Sequence, residues 1–335
     1  MEVRGHGGVG LRRGRRVGVS RKGLAVKQQE SVVPEATFRS YYGQPVLKPP
    51  VWEWKIAAYL FTGGLSASSA LLGAGADLTG RPALRRAGRL GALGALGASM
   101  YLLVADLGRP ERFLHMLRVA KPSSPMSVGT WILVAYGPGT GVAAVAELVP
   151  RGWRKRLPGR LLRRLARPAG LSSAAVAPAV ASYTAVLLSQ TAVPAWHEAH
   201  RQLPFVFTGS AAAAGAGLGL VCAPVSEAAP ARRLAVAGAA LESVAARLVE
   251  HRSGLAGEAY RTGKAHRLRK WSECLTIGGA LGALLPARRS RAAAVASGLA
   301  LLAGSALQRF GIFEAGVEST KDPKYVVVPQ RQRKV

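Results

Sequence analysis

Four side chains that can donate or accept a hydrogen bond lie near one end of the apolar segments of this chain: Tyr59, Asp106, Trp131 and His197. Tyr59 lies about five residues, or roughly 8 Å at the rise of an α-helix, inside the first apolar segment, and Trp131 lies at similar depth in the third. Asp106 ends the second segment, and His197 follows the fourth. Because the four come from different segments but share one depth, we expect them to line a shallow pocket that opens to lipid.

Each of these side chains also has a purely structural interpretation. Asp106 precedes Arg109 and Arg112 and can pair with either of them in the loop. The Tyr59 hydroxyl can reach the lipid headgroups, and His197 can be a solvated loop residue. The sequence leaves both interpretations open, and the shared depth is the feature that favours the pocket.

Glu242 lies near the middle of the sixth apolar segment, about ten residues from either end, where an ionisable group is costly. Arg247 is five positions further on and about 140° round the helix, so the two side chains do not align as an ion pair. We therefore expect Glu242 to face another helix or water. A protonated structural carboxyl and a proton relay both fit this position.

Few residues of the chain are suited to holding a cofactor. All six histidines lie outside the cores of the apolar segments, which excludes haem bound by two histidines between membrane helices. Cys222 and Cys274 lie on separate segments without Cys-x-x-Cys spacing, so the chain holds no iron–sulfur cluster or cysteine-rich zinc site. Phosphate-binding loops and metalloprotease histidine pairs are also missing from the sequence. We predict no permanently bound cofactor and no metal site.

The elements that must position these residues are apolar helices. The 335 residues include 46 Lys and Arg, 17 Asp and Glu, and 49% apolar residues. The charges lie between uncharged runs, several of which reach the roughly 18–20 residues that cross a bilayer. A soluble α/β enzyme is excluded, and we predict an all-α, polytopic integral membrane protein. About eight transmembrane helices are predicted, over residues 54–75, 89–107, 125–148, 172–194, 203–223, 232–250, 271–287 and 291–310.

Hydropathy alone also permits six spans, because the second and seventh have short uncharged cores and the sixth is interrupted by charges. Eight spans place both termini on one side, which we name the N face because the first span begins there. The connections on the opposite face carry more Lys and Arg, so we expect that face to be cytoplasmic.

The similarity of residues 61–64 (F-T-G-G) to residues 207–210 (F-T-G-S) suggests two four-helix halves.

The regions outside the spans are polar. Residues 1–50 form a basic, glycine-rich leader that we expect to be disordered, residues 51–312 form the transmembrane domain, and residues 313–335 form a polar tail. Both ends are expected to be exposed to solvent.

Five of the six tryptophans lie near the N-face ends of spans, and this excess suggests that the N face docks a partner or holds a site.

Three stretches carry specific motifs. They are W-K-I-A-A-Y-L-F-T-G-G-L-S-A-S-S at 54–69, D-L-G-R-P-E-R-F at 106–113 running on to K-P-S-S-P-M-S-V-G-T-W at 121–131, and A-G-V-E-S-T-K-D-P at 315–323. Together they resemble the NrfD/PsrC family, the membrane subunits of polysulfide, nitrite and formate oxidoreductase complexes. The resemblance covers about residues 52–325 and is most specific over 101–131.

The resemblance implies a multi-pass subunit in the cell membrane of a prokaryote that serves anaerobic respiration and exchanges electrons and protons with menaquinone or ubiquinone. It implies two partners, an iron–sulfur (ferredoxin-like) subunit docked on the membrane surface and a molybdopterin catalytic subunit. No nucleic-acid partner is expected. The protein by itself is not expected to be catalytic.

The resemblance also implies where the quinone binds. In the family the quinone pocket lies near the face that docks the iron–sulfur protein, which carries over to Tyr59 and Asp106 as catalytic residues. Lys55, Trp131 and His197 are further expected quinone contacts. Some members place a histidine and an asparagine on the first helix, where this chain has Tyr59 and Ile56. A phenol can donate to a quinone carbonyl, and a carboxylate can take up protons from water.

Two other functions stay open from the sequence. One is a proton- or ion-coupled secondary transporter that uses Glu242 and Arg247. The other is a non-redox membrane anchor that only positions a catalytic subunit. A ferredoxin-like protein encoded beside this one favours the redox function, and an isolated reading frame favours the transporter.

Overall fold

The computed structural model describes residues 46–109, 111–153 and 156–332, without the side chain of Arg151. Nearly all of the predicted basic leader therefore lies outside the described residues. The helices belong to one compact unit, Gly43–Val335. Within the described ranges the regular structure is helical and contains no strand, which confirms the all-α class.

The described residues form eleven α-helices, of which eight have 20 or more residues. The eight long helices are α1 Trp54–Leu78, α2 Pro82–Asp106, α4 Pro125–Leu148, α5 Leu157–Ser189, α7 Leu203–Cys222, α8 Ala229–Arg252, α9 Gly263–Leu284 and α10 Arg291–Lys321. The short helices are α3 Arg112–Met116, α6 Pro194–Glu198 and α11 Lys324–Gln332. Short 3-10 helices include Gly254–Tyr260 and Pro286–Arg288.

Six of the long helices are long and apolar enough to cross a membrane: α1, α2, α4, α5, α7 and α10. This confirms a polytopic membrane protein. The predicted sixth and seventh spans are present as α8 and α9, but both fall below the same apolarity criterion among the described residues. The reason is the charged residues in both helices, some of which pair between them, Arg247 with Glu273 at 3.2 Å and Arg269 with Glu250 at 2.7 Å.

The helices pack as two groups of four. In each group the consecutive helices form close hairpins, α1 with α2 and α4 with α5 in the first, α7 with α8 and α9 with α10 in the second. Helix α5 returns to α1 and α10 returns to α7, so each group closes on itself. The two groups meet mainly where α1 contacts α7. This arrangement matches the two predicted four-helix halves.

Two helices begin well before the predicted spans. Helix α2 begins at Pro82 and α5 at Leu157, where spans over 89–107 and 172–194 are predicted. The extra turns contain charged residues that hydropathy excludes from a span. In the added turn of α2, Arg85 donates to Glu147 on α4 at 2.7 Å, and Arg89, where the predicted span begins, is buried and donates to Asp77 at 3.0 Å and to Glu147 at 2.9 Å. Because the charges are paired between helices, the helix continues through them.

The C-terminal region differs from the predicted exposed tail. Helix α10 continues to Lys321, whereas the predicted span ends at residue 310. The additional turns bury Phe313, Ala315 and Ser319 against the N-face end of the molecule. The expectation of a solvent-exposed segment from residue 313 is therefore wrong for this part of the chain, because small residues let α10 pack beyond the apolar run.

The α1–α2 hairpin depends on a close approach of two glycines. A Cβ atom on Gly88 would lie 2.6 Å from the Cα of Gly73, so the two backbones are nearly in contact. Gly94 lies on the same helix, is exposed, and has open space where a Cβ would be placed. A substitution at Gly88 therefore tests helix packing, whereas the same substitution at Gly94 tests helix propensity alone.

We predict that Gly88→Ala destabilises the protein by about 1–3 kcal/mol, because the added methyl must push two backbones apart. The measurement is the midpoint of thermal unfolding of the full-length protein in detergent. Gly94→Ala is the matched control and is expected to leave the midpoint unchanged or raise it slightly. Equal midpoints for Gly88→Ala and the wild type would contradict the described packing.

Candidate functional site

A buried tryptophan organises the N-face end of the molecule. Trp196 on α6 is fully buried, and its indole Nε1 donates to the carbonyl of Ile312 on α10 at 2.8 Å. The ring stacks on Trp52, which precedes α1, with 5.9 Å between centroids. The hydroxyl of Tyr260 donates to the Ala195 carbonyl at 2.9 Å. These contacts fix α6 across the ends of α1 and α10.

The motif at 315–323 takes part in the same contact. Gly316 packs directly against the Trp196 ring, and any Cβ at this position would overlap the indole. Ser319 accepts a hydrogen bond from the Ala195 amide at 3.3 Å. The glycine and the serine of this motif therefore form the surface of α10 on which α6 packs.

The motif at 121–131 folds back on itself at the start of α4. The hydroxyl of Ser127 donates to the Val119 carbonyl at 3.0 Å and accepts from the Lys121 amide at 2.9 Å. The indole of Trp131 donates to the same Val119 carbonyl at 3.3 Å. The loop that leads into α4 is thus fixed to the first two turns of the helix.

An apolar cavity of about 400 Å³ lies beside this loop. It is open on one side, and its walls come from the loop, from one face of α4 and from α5. The lining residues are Ala120, Lys121, Pro122, Ser127, Val128, Trp131, Ile132, Ala135 and Val176. A volume of this size holds a single aromatic ring system with part of an attached chain.

Tyr59 does not line this cavity in the structure. Its hydroxyl forms a buried hydrogen bond with the hydroxyl of Tyr183 on α5, and both rings are almost fully covered. Gly129 on α4 makes room for the Tyr183 ring, since a Cβ there would overlap it. The glycine of the S-V-G-T-W motif therefore places the tyrosine pair behind the helix that carries Trp131.

The other predicted site residues lie at the surface of the N face. Lys55 forms an ion pair with Glu53 at 2.9 Å, and the carboxylate of Asp106 acts electrostatically on the same ammonium group. His197 is exposed, with its Nδ1 3.1 Å from the Ser189 carbonyl. The structure thus brings Lys55 and Asp106 together and places His197 outside the cavity around Trp131.

A second polar cluster lies deep between α7, α8, α9 and α10. Glu242 is 4% exposed, and its Oε2 has no hydrogen-bond partner among the described residues. Arg309 is 1% exposed, donates to the Phe207 carbonyl at 2.6 Å and lies over the Phe207 ring. The positive charges of Arg309 and Arg269 both act on the Glu242 carboxyl.

A cavity of about 280 Å³ connects Glu242 with polar residues nearer the N face. Besides Glu242 it is lined by Ser243, Ala246, Arg247, Glu250, His266, Arg269, Lys270, Glu273, Thr276 and Gln308. Arg247 pairs with Glu273 on α9 rather than with Glu242. The expectation that Glu242 faces another helix or water therefore agrees with its surroundings.

Three residues of these clusters, Tyr183, Arg269 and Arg309, were not singled out from the sequence. Tyr183 is a phenol inside an uncharged run, and that isolated polar group was the available signal. Arg309 falls at the last turn of the predicted span over 291–310, where an arginine is ordinary. Because α10 continues to Lys321, the same arginine is buried in the middle of a helix.

Comparison with known proteins gives two findings. Residues 44–237, which include α1 to α7 and the start of α8, match the family model described as polysulphide reductase, NrfD. The C subunit of the polysulfide reductase of Wolinella succinogenes is 31% identical over 152 residues, which are 42% of this chain and 48% of that protein. The match thus spans about half the length of that relative. Because the family model matches more than half of the residues of this chain, the protein belongs to the NrfD family of multi-pass membrane proteins.

Proposed function

We propose that this protein is the quinone- and quinol-interacting membrane subunit of a multi-subunit oxidoreductase. In this proposal it passes electrons between a membrane quinone and an iron–sulfur partner subunit that docks on the N face. The catalytic partner is a molybdopterin subunit, as in complexes of the polysulfide, formate or nitrite reductase type. Membership of the NrfD family and similarity to a polysulfide reductase subunit support the class of complex.

The observation that carries the proposal is the apolar cavity beside Trp131. A quinone is a flat ring with two carbonyl oxygens and a long apolar tail, so it needs an apolar slot that opens to lipid and a few polar groups. The cavity has apolar walls, an indole ring on one side, and Lys121 and Ser127 at its edge. An indole can stack on such a ring, and a lysine ammonium can donate to a carbonyl oxygen.

Proton exchange is assigned to the groups behind and beside the cavity. Tyr59 and Tyr183 share a buried hydrogen bond, so a proton lost at one hydroxyl is replaced from the other. Asp106 lies at the N-face end of α2 and interacts electrostatically with Lys55. In the proposal Asp106 exchanges protons with water, and the Tyr59–Tyr183 pair passes protons to the ring in quinone reduction and takes them from it in quinol oxidation. His197, the other expected quinone contact, is exposed and lies outside the lining of the cavity, so it has no quinone contact in this proposal. The quinone is an exchangeable substrate, and no cofactor is bound permanently by this protein.

We predict that Trp131→Leu weakens binding of a fluorescent hydroxyquinoline N-oxide, a quinol analogue, by about tenfold, or ~1.4 kcal/mol. The reason is the loss of the ring that forms one wall of the cavity. The measurement is quenching of the analogue by the full-length protein in lipid nanodiscs. Trp153→Leu is the matched control, because Trp153 is an exposed indole near the opposite face. Equal weakening by both variants, or by neither, would contradict the proposed pocket.

We predict that Asp106→Asn and Tyr59→Phe each lower quinol oxidation by about a hundredfold in the complex purified with its partner subunits, since each removes a proton-transfer group. The controls are Glu111→Gln and Tyr101→Phe, which change an exposed carboxylate and an exposed phenol on the same half of the molecule. Rates that stay normal in Asp106→Asn and Tyr59→Phe would favour the anchor function instead.

A second candidate function rests on a different observation, the cavity that reaches Glu242 from the N face. A carboxyl with an unbonded oxygen in a polar cavity is suited to a proton or ion pathway. As a relay in the redox complex, Glu242 would exchange protons with the N face. As part of a secondary transporter, it would do so without any redox partner.

We predict that Glu242 gives a protonated-carboxyl infrared band that appears on acidification and shifts quickly when the full-length protein is moved into D₂O. The cavity supplies the water that exchanges the proton. The band should be missing in Glu242→Gln and present in Glu318→Gln, a surface control whose carboxylate pairs with Lys321. If the proton of this carboxyl does not exchange with D₂O, Glu242 is a structural carboxyl without access to water, and this result would contradict its assignment as a proton relay.

A further inference from the structure

The seam between α8 and α9 contains a second open groove, at the opposite face from the candidate site. Helices α8 and α9 contact each other less extensively than α8 contacts α7 or α9 contacts α10, which leaves the seam open. The groove has a volume of about 610 Å³. It runs from the first turns of α8 and the 3-10 helix Pro286–Arg288 towards the middle of the membrane.

The lining of this groove is divided into an apolar floor and a basic end. The floor is formed by Val236, Ala237, Ala240, Ala283 and Leu284. The end nearest the membrane surface is formed by Arg232, Arg233 and Arg288, with Ala229 beside them. Because the alanine side chains are short, they leave room for a hydrocarbon chain to lie between the helices.

The three arginines repel one another without a compensating acid. The charges of Arg233 and Arg288 both act on Arg232. Within the part of the chain that the structure describes, none of the three forms an ion pair. Arg232 donates to the backbone carbonyl of Val225 at 3.1 Å.

The nearest acid in the sequence is used elsewhere. Glu227 Oε2 accepts from the backbone amides of Ala83 at 2.8 Å and Leu84 at 3.0 Å, so it caps the start of α2. The basic end of the groove therefore keeps an uncompensated positive charge, which attracts an external anion.

The surface around the groove is apolar. Leu281 is 58% exposed and Leu285 is 74% exposed, and both lie at the C-terminal end of α9. Exposed leucines beside a row of arginines mark the level where acyl chains meet headgroups. An anion that also carries a hydrocarbon chain satisfies the arginines and the alanine floor together.

We propose that this groove binds one anionic phospholipid, whose phosphate pairs with Arg232, Arg233 and Arg288 and whose acyl chain lies along the floor. Arginine is suited to this role because its planar fork donates two hydrogen bonds to a phosphate. The proposal is independent of the quinone function, since the groove and the cavity beside Trp131 lie at opposite faces and share no lining residue.

The test uses the full-length protein in detergent after removal of bound lipid. Phosphatidylglycerol or phosphatidylcholine is added back, and both the thermal midpoint and the lipid adducts seen by native mass spectrometry are measured. We expect phosphatidylglycerol to raise the midpoint and to leave one retained adduct, and phosphatidylcholine to do neither. In Arg233→Gln/Arg288→Gln the apparent affinity for phosphatidylglycerol should fall about tenfold or more.

The matched control is Arg160→Gln/Arg164→Gln, which removes two exposed arginines from α5 at the same face. It should keep the wild-type response. A third variant, Ala237→Phe, fills the floor without changing charge and should also weaken the adduct.

Three outcomes would overturn the proposal. An equal response of all variants would mean a general effect of anionic lipid. A full response to inorganic phosphate without lipid would mean a site for a free anion. A dimer in the mass spectrum that dissociates in Ala237→Phe would mean that a second copy of the protein covers the groove.

Discussion

The structure depends on close helix packing through small residues. Inside a bilayer apolar side chains gain nothing by leaving lipid, so helices associate through van der Waals contact and a few polar groups. Here the backbones come almost into contact at Gly73 and Gly88, and a Cβ on Gly209 would lie 2.9 Å from the Cα of Glu242. Larger side chains at these positions would separate the helices and with them the polar groups that they hold together.

The same packing explains how ionisable groups are tolerated within the helices. At the opposite face Arg89 joins Asp77 and Glu147, and so links α1, α2 and α4. At the N face Trp196 joins α6 to α10 and stacks on a residue just before α1. Between these two layers lie the tyrosine pair in the first group of four helices and the Glu242 cluster in the second. At this middle depth the first group thus holds a pair of phenols, whereas the second holds the charged groups of Glu242 and Arg309.

The sequence predicted the helical membrane fold well, because each apolar run reports directly on burial in lipid. Helix α4 has the predicted bounds, and all eight predicted spans coincide with long helices. It underestimated α2 and α5, because hydropathy treats each charge alone whereas Arg85 and Arg167 are paired with Glu147 and Asp77, far away in the sequence. It underestimated α10, because small residues such as Gly316 let that helix pack beyond the apolar run. Tyr183 and Arg309 could not be found from spacing, since their partners Tyr59 and Glu242 come from other helices. By contrast, the family motif at 121–131 lines the cavity beside Trp131, and the motif at 315–323 packs against Trp196 and its helix.

The most direct test of the central claim is photolabelling of the full-length protein in native membranes with an azido-quinone, followed by mapping of the labelled peptides. The account predicts that the label falls on the segment from Lys121 to Ala135 and on the facing part of α5 around Val176, and that excess quinone competes it away. Label concentrated on α7 to α10, or label that excess quinone does not displace, would contradict a quinone site beside Trp131.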